Sequence, residues 1–157
     1  MDTKWTFIVE KSQDILSGQI ESKRALQNAA GVILGFISVF FSVFISVIEK
    51  ADYFIKVLSI APLIFLVFGL VRLIQVLRTN DLFQGSNVSK LESLIQASEL
   101  EIARNELALN KRSVEKNIDV MHKMHGRYND AILLIGIAVI VATILLFVNI
   151  FIPNGAN

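Results

Sequence analysis

The sequence predicts an all-α integral membrane protein, with three transmembrane helices and amphipathic helical extensions on the cytoplasmic side. Three observations predict it. Apolar and charged residues are segregated into blocks, three of the apolar blocks are long enough to cross a bilayer, and Lys and Arg are unequally divided among the flanks. A soluble core would interleave apolar and polar residues at helical or strand period. A disordered chain would be polar throughout, which 54% hydrophobic residues exclude.

Residues 1–28 form the first element. Trp5, Ile8, Val9, Leu16 and Ile20 fall on one side of a helix and charges occupy most of the rest. An interfacial helix carries a Lys/Arg-rich polar face, whereas this one is charge-balanced. Docking on a second cytoplasmic helix is therefore the expectation, with Gly18 as a candidate bend. Four acids among residues 1–24 (Asp2, Glu10, Asp14, Glu21) and an overlong apolar run argue against a secretory signal.

Residues 29–79 read as a transmembrane hairpin, with spans at about 29–48 and 54–77. No charge occurs from Ala25 to Ile48, and about 20 apolar residues at a 1.5 Å rise cross a hydrocarbon core of about 30 Å. The second span is bracketed by Lys56 and Arg72, whose long stems can reach the interface. Pro62 removes a backbone donor and predicts a kink one turn in from the hairpin.

Residues 80–130 form a connector and an amphipathic helix. Asn80 to Asn87 is turn-rich, and Ser89 with Glu92 matches a capping box. Leu100, Ala103, Leu107, Val114, Ile118 and Met121 then recur at spacings of three, four or seven, with Asn110 at an intervening polar position. A helix from 90 to 125 would be about 54 Å long, so it either tilts, breaks near Asn105–Asn110, or runs on through Gly126 into the third span. The continuous form is the expectation. Residues 131–157 hold that span, opening after Asp130 and stopped by Pro153, and a short external tail.

Lys and Arg set the orientation. The amino-terminal flank has Lys11, Lys23 and Arg24; the segment between the second and third spans has nine, from Arg72 to Arg127. The first hairpin has Lys50 and Lys56, and the tail after Ile152 has none. The amino terminus and residues 79–130 are expected to be cytoplasmic, and the carboxy terminus external.

Candidate functional residues are few. Gly31, Gly35, Ser38, Ser42 and Ser46 are spaced four, three, four and four apart and share one helix face. Gly31 and Gly35 form a G-x-x-x-G, which permits close backbone approach. Three readings stay open: packing within the chain, contact between copies, or a pore lining, although serine hydroxyls also satisfy themselves on their own helix. Arg72, Gln75 and Asp130 are membrane-interface or gating candidates, with an interfacial anchor the favoured role for Arg72. His122 and His125, three apart beside Met121 and Met124, are a weak titrating or metal pair lacking further ligands. No cofactor motif or catalytic constellation is visible, so no enzyme is expected. The net charge of +1 gives no reason to expect nucleic-acid binding.

Glu21-Ser22-Lys23-Arg24-Ala25 leading to Ala30-Gly31-Val32-Ile33-Leu34-Gly35-Phe36-Ile37, and Glu115-Lys116-Asn117 with Gly126-Arg127-Tyr128 before a last span, resemble small helical membrane effectors of prokaryotic conflict systems. These are the SLATT-type and Pycsar-type transmembrane proteins. The resemblance covers most of the chain by architecture. It implies a homo-oligomer that compromises a bacterial inner membrane in anti-phage defence, triggered through a cytoplasmic protein partner because no nucleotide-sensing domain is legible. The alternatives are a non-conducting scaffold docking a partner through its helical extension, and a constitutive ion channel or proton path. The last needs a buried carboxylate, for which Asp130 is the candidate.

Overall fold

A computed structural model describes residues 3–79, 82–84 and 97–151. Its elements are all α-helical: α1 (Thr3–Ile48), α2 (Tyr53–Leu58), α3 (Ile60–Leu77) and α4 (Glu99–Phe151). Three helical stretches are long and apolar enough to cross a membrane by length and composition: Lys4–Ile48, Tyr53–Leu77 and Glu99–Phe151. The chain is an all-α membrane protein.

α1 is longer than its sequence segment suggested, while α4 takes the continuous form expected of it. α1 is continuous helix through Gly18 and through residue 28, where the first element was expected to end. Nothing between Ser22 and Asn28 interrupts a helix, since the stretch has no Pro or Gly. α4 is unbroken at Asn105–Asn110 and continues through Gly126 into the apolar stretch.

The Pro62 kink is present as a break at Ser59 between α2 and α3. Pro62 occupies the first turn of α3, where a missing N–H leaves no intrahelical bond unmade. The buried Ser59 hydroxyl donates to Ile55 O at 2.7 Å, so the break strands no polar side chain. α4 starts with a capping box at Ser98 and Glu101. Ser98 N–H and Oγ–H donate to Glu101 Oε2 at 3.0 and 2.9 Å, while Ser98 Oγ accepts Glu101 N–H at 3.4 Å. The expected box at Ser89–Glu92 and the stop at Pro153 lie outside the described residues.

The chain divides into two compact units: Met1–Leu26 with Thr79–Met124, and Gln27–Arg78 with His125–Asn157. In the first, the opening half of α1 docks on α4, as its charge balance predicted. Ser12 meets Asn110 and Gln19 meets Asn117, so the two helices run parallel. Val9, Leu16 and Lys23 on α1 and Ala103, Asn110, Asn117 and Met124 on α4 are buried at seven-residue spacing, the repeat of a left-handed helix pair. The expected α4 seam needs correction. Ala103 and Met121 are buried, but Leu100 and Ile118 are exposed. The pair centres instead on amides, because each amide finds a partner and loses nothing by burial.

In the second unit, α1 buries Ala30, Ile37, Phe44 and Ile48, and α4 buries Ala131, Ile135, Ala138, Ala142 and Leu145. Phe44, Ile48, Ala51, Ile55 and Ala142 form a core at the hairpin end, with Phe40, Leu63 and Leu146 packed on it. Among the described glycines, Gly69 on α3 alone has a neighbour where its Cβ would stand. A Cβ there would lie 2.6 Å from Ile135 Cγ1 and 3.4 Å from Ala131 O. The exposed remainder of the unit is largely apolar, including Val32, Phe36, Val67 and Ile140, as suits a surface facing lipid.

Candidate functional site

The glycine–serine stripe of α1 lies off the face that α1 buries. At 100° per residue it sits roughly 100–180° around the helix from Ile37. Gly31, Gly35, Ser38, Ser42 and Ser46 are all exposed. A Cβ built on Gly31 or Gly35 meets nothing within 4 Å. Packing within the chain, one of the three readings of this stripe, is therefore corrected: the residues that pack are Ala30, Ile37 and Phe44. Bulk decides the matter, because Ile and Phe fill the space between helices that glycine would leave void. Ser38 Oγ donates to Leu34 O and Ser42 Oγ to Ser38 O, each at 2.9 Å. These hydroxyls are satisfied without water, so a lumen is not needed to explain them.

Arg72, Gln75 and Asp130 form one cluster. Arg72 Nη1 donates to Gln75 Oε1 at 3.3 Å, and Arg72 Nε lies 3.9 Å from Asp130 Oδ2. The arginine and aspartate side chains are 45% and 59% exposed. Leu73 and Val76 beside them are fully buried, which leaves Arg72 on the flank of α3. Such an exposed pair contributes about 0.2–1 kcal/mol, in keeping with an anchor that holds α3 beside α4. Gln27 Nε2 adds a tie from α1, donating to Leu77 O at 3.1 Å and satisfying one of the free carbonyls at the end of α3.

His122 and His125 are both exposed, and among the described residues no group of three His, Cys, Asp or Glu is gathered for a metal.

A polar junction in the first unit escaped the sequence reading. Asn117 on α4 is fully buried. Its Nδ2 donates to Gln19 Oε1 on α1 at 3.1 Å and to Phe83 O at 2.9 Å, and its Oδ1 accepts Phe83 N–H at 2.9 Å. Lys116 Nζ sits 4.6 Å from the Phe83 ring centroid. One turn pair earlier, Asn110 Nδ2 donates to Ser12 Oγ at 2.9 Å. Ser12 in turn donates to Val9 O, closing that layer. Flanking contacts follow the same order: Arg104 stacks over Trp5, Gln13 bonds Glu106, and Gln19 Nε2 donates to Val114 O at 3.4 Å. The seven-residue step Ala103–Asn110–Asn117–Met124 was the signal that could have found the junction, had Asn117 been placed in the seam beside Asn110.

Comparison of the chain with protein-family models, characterised proteins and solved structures returns no match.

Proposed function

We propose that this chain is a homo-oligomeric inner-membrane protein that acts as a membrane-perturbing or channel-like effector, with the α1 stripe as the contact between copies. The observation that carries the proposal is the open space over Gly31 and Gly35. Apolar side chains of one helix gain nothing by leaving lipid for another apolar surface, so helices associate in a bilayer where small residues let backbones approach. This chain presents such residues outward, flanked by Val32, Phe36, Val39 and Val43. The amino terminus and residues 79–130 face the cytoplasm by the Lys/Arg count, and the carboxy terminus is external. The effector role, in anti-phage defence and with a cytoplasmic trigger, follows from the resemblance to SLATT-type and Pycsar-type proteins.

The experiment pairs assembly with permeability. Wild type should crosslink to a defined oligomer in detergent and depolarise cells on overexpression. Gly31→Leu with Gly35→Leu fills the open face with bulk and should abolish both while leaving insertion intact. A monomer in wild type, or an unaltered oligomer in the double variant, removes the stripe from the interface.

The non-conducting scaffold is the second reading. It is favoured by the exposed Phe7, Ile15, Leu100 and Ile118 on the α1/α4 pair, which offer apolar footholds to a cytoplasmic partner. An oligomer that leaves membrane potential untouched supports it. The proton-path reading has lost its footing, because Asp130 is exposed and pairs with Arg72 instead of lying buried.

A further inference from the structure

The junction at Asn117 does more than join two helices. Residues 82–84 form a strap with no helical structure, and a loop backbone ordinarily turns its N–H and C=O toward water. Here both polar groups of Phe83 are taken by a single side chain, one accepting and one donating. Only a primary amide can make that pair of bonds at one residue. Aspartate lacks the donor, leucine lacks both groups, and glutamine places the amide one methylene too far. Leu82, next in the strap, is buried at 6% exposure, and the Lys116 ammonium over the Phe83 ring adds a cation–π contact.

The second hydrogen of Asn117 Nδ2 goes to Gln19 on α1. That bond exists only in one register of the helix pair. Sliding α1 by a heptad would bring either Ser12 or Leu26 opposite Asn117. Serine is too short to replace Gln19, and leucine offers no acceptor. In either shifted register the buried amide loses a partner, at the cost of an unsatisfied polar group.

We propose that Asn117 is a latch that makes attachment of the strap 82–84 conditional on the register in which Gln19 faces it. The latched state has all four groups satisfied: Phe83 N–H, Phe83 C=O and both hydrogens of Asn117. Releasing the strap and shifting the helix pair are then one event, so whatever moves α1 along α4 also frees Leu82 and Phe83. The inference stands independently of the proposed effector role, since it concerns the α1/α4 pair and the strap alone.

The chain has no cysteine, so Leu82→Cys provides a single reporter thiol in the full-length protein. Its reaction with a water-soluble maleimide should be slow. Asn117→Asp and Asn117→Leu should each accelerate it about tenfold or more, the scale of losing a buried hydrogen-bonded group. Gln19→Leu, which never touches the strap, should accelerate it as well. Asn110→Leu alters the neighbouring polar layer and should leave the rate unchanged. Helical ellipticity reports whether each variant is folded. Should the Asn117 variants fail to fold, the unsubstituted protein still gives a test: the Phe83 amide must exchange with deuterium far more slowly than a solvated loop amide. A Phe83 amide exchanging at the solvated rate, or equal thiol rates in Leu82→Cys with and without Asn117→Asp, overturns the latch. Acceleration by Asn117→Asp but none by Gln19→Leu overturns its dependence on register.

Discussion

Gly69→Ala is the smallest substitution with a large expected effect on this protein. The added carbon would stand 2.6 Å from Ile135 Cγ1, 3.2 Å from Ile135 Cδ1 and 3.4 Å from Ala131 O. Carbon pairs settle at about 3.5–4.0 Å, so α3 and α4 must part by up to about an ångström, or Ile135 must leave its rotamer. Cγ1 is bonded to Cβ, so it moves aside only by a change of χ1 that carries Cδ1 with it. Overpacking of this kind costs about 1–3 kcal/mol. For a chain of 157 residues, each kcal/mol lowers the melting midpoint by about 2–4 °C, which places the Gly69→Ala drop at roughly 2–12 °C. The assay is loss of helical ellipticity on heating in a fixed detergent, with reversibility checked on cooling.

Suppression separates this steric cause from a general loss of stability. Ile135→Ala removes the colliding carbon and should recover part of the midpoint in the double variant, a coupling of about 0.5–3 kcal/mol. Ile135→Val keeps a γ carbon in the same place, relieves only the 3.2 Å contact with Cδ1 and should recover less. Gly31→Ala and Gly35→Ala meet open space and should leave the midpoint of the monomer unmoved. A wild-type midpoint in Gly69→Ala, or equal rescue by valine and alanine, refutes the close approach.

The start of α4 should respond to acid. Glu101 has its carboxyl held below the ordinary value of 4.5, first by the Ser98 backbone N–H and then by the Ser98 hydroxyl. A depressed carboxylate contributes stability that is present above the unfolded value and lost as pH falls through the folded one. The protection of amides in the first turn of α4, relative to their intrinsic exchange rates at each pH, should therefore fall as pH drops below about 4.5, and Glu101→Gln should remove that dependence. The Arg72–Asp130 pair should behave as an exposed tie: Asp130→Asn should shift stability by no more than about 1 kcal/mol, and less at high salt. A loss of several kcal/mol would mean that the pair is desolvated and not an interfacial anchor.

Much of the helical plan was legible because it depends on local facts. A charge-free run from Ala25 to Ile48 has few options but to enter lipid, and Pro62 can donate to no carbonyl wherever it sits, so the second span had to break near Ser59. The docking of the opening half of α1 on α4 was likewise readable, from a charge-balanced polar face. The cap at Ser98 was not distinguished from the similar motif at Ser89, because both satisfy the same four-residue pattern and only the chain geometry selects where α4 begins.

Within the apolar stretches the sequence by itself determined which segments are long and apolar enough to cross a membrane, but not which way their residues turn. Periodicity reveals an inward face only where the outward face is polar, and lipid asks for apolar residues on both sides. That is why the glycines at 31 and 35, conspicuous in the sequence, proved to face outward, while Gly69 is the one packed against Ile135. In the α1/α4 pair the difficulty was the reverse. Asn117 and Lys23 are polar enough to suggest surface positions, yet with Asn110 they are buried on the seam. Polarity predicts exposure only when no partner waits inside, and the partners of the two asparagines, Ser12 with Asn110, and Gln19 and Phe83 with Asn117, come from distant parts of the chain. Tertiary structure alone could bring them together and so decide that these amides belong to the interior.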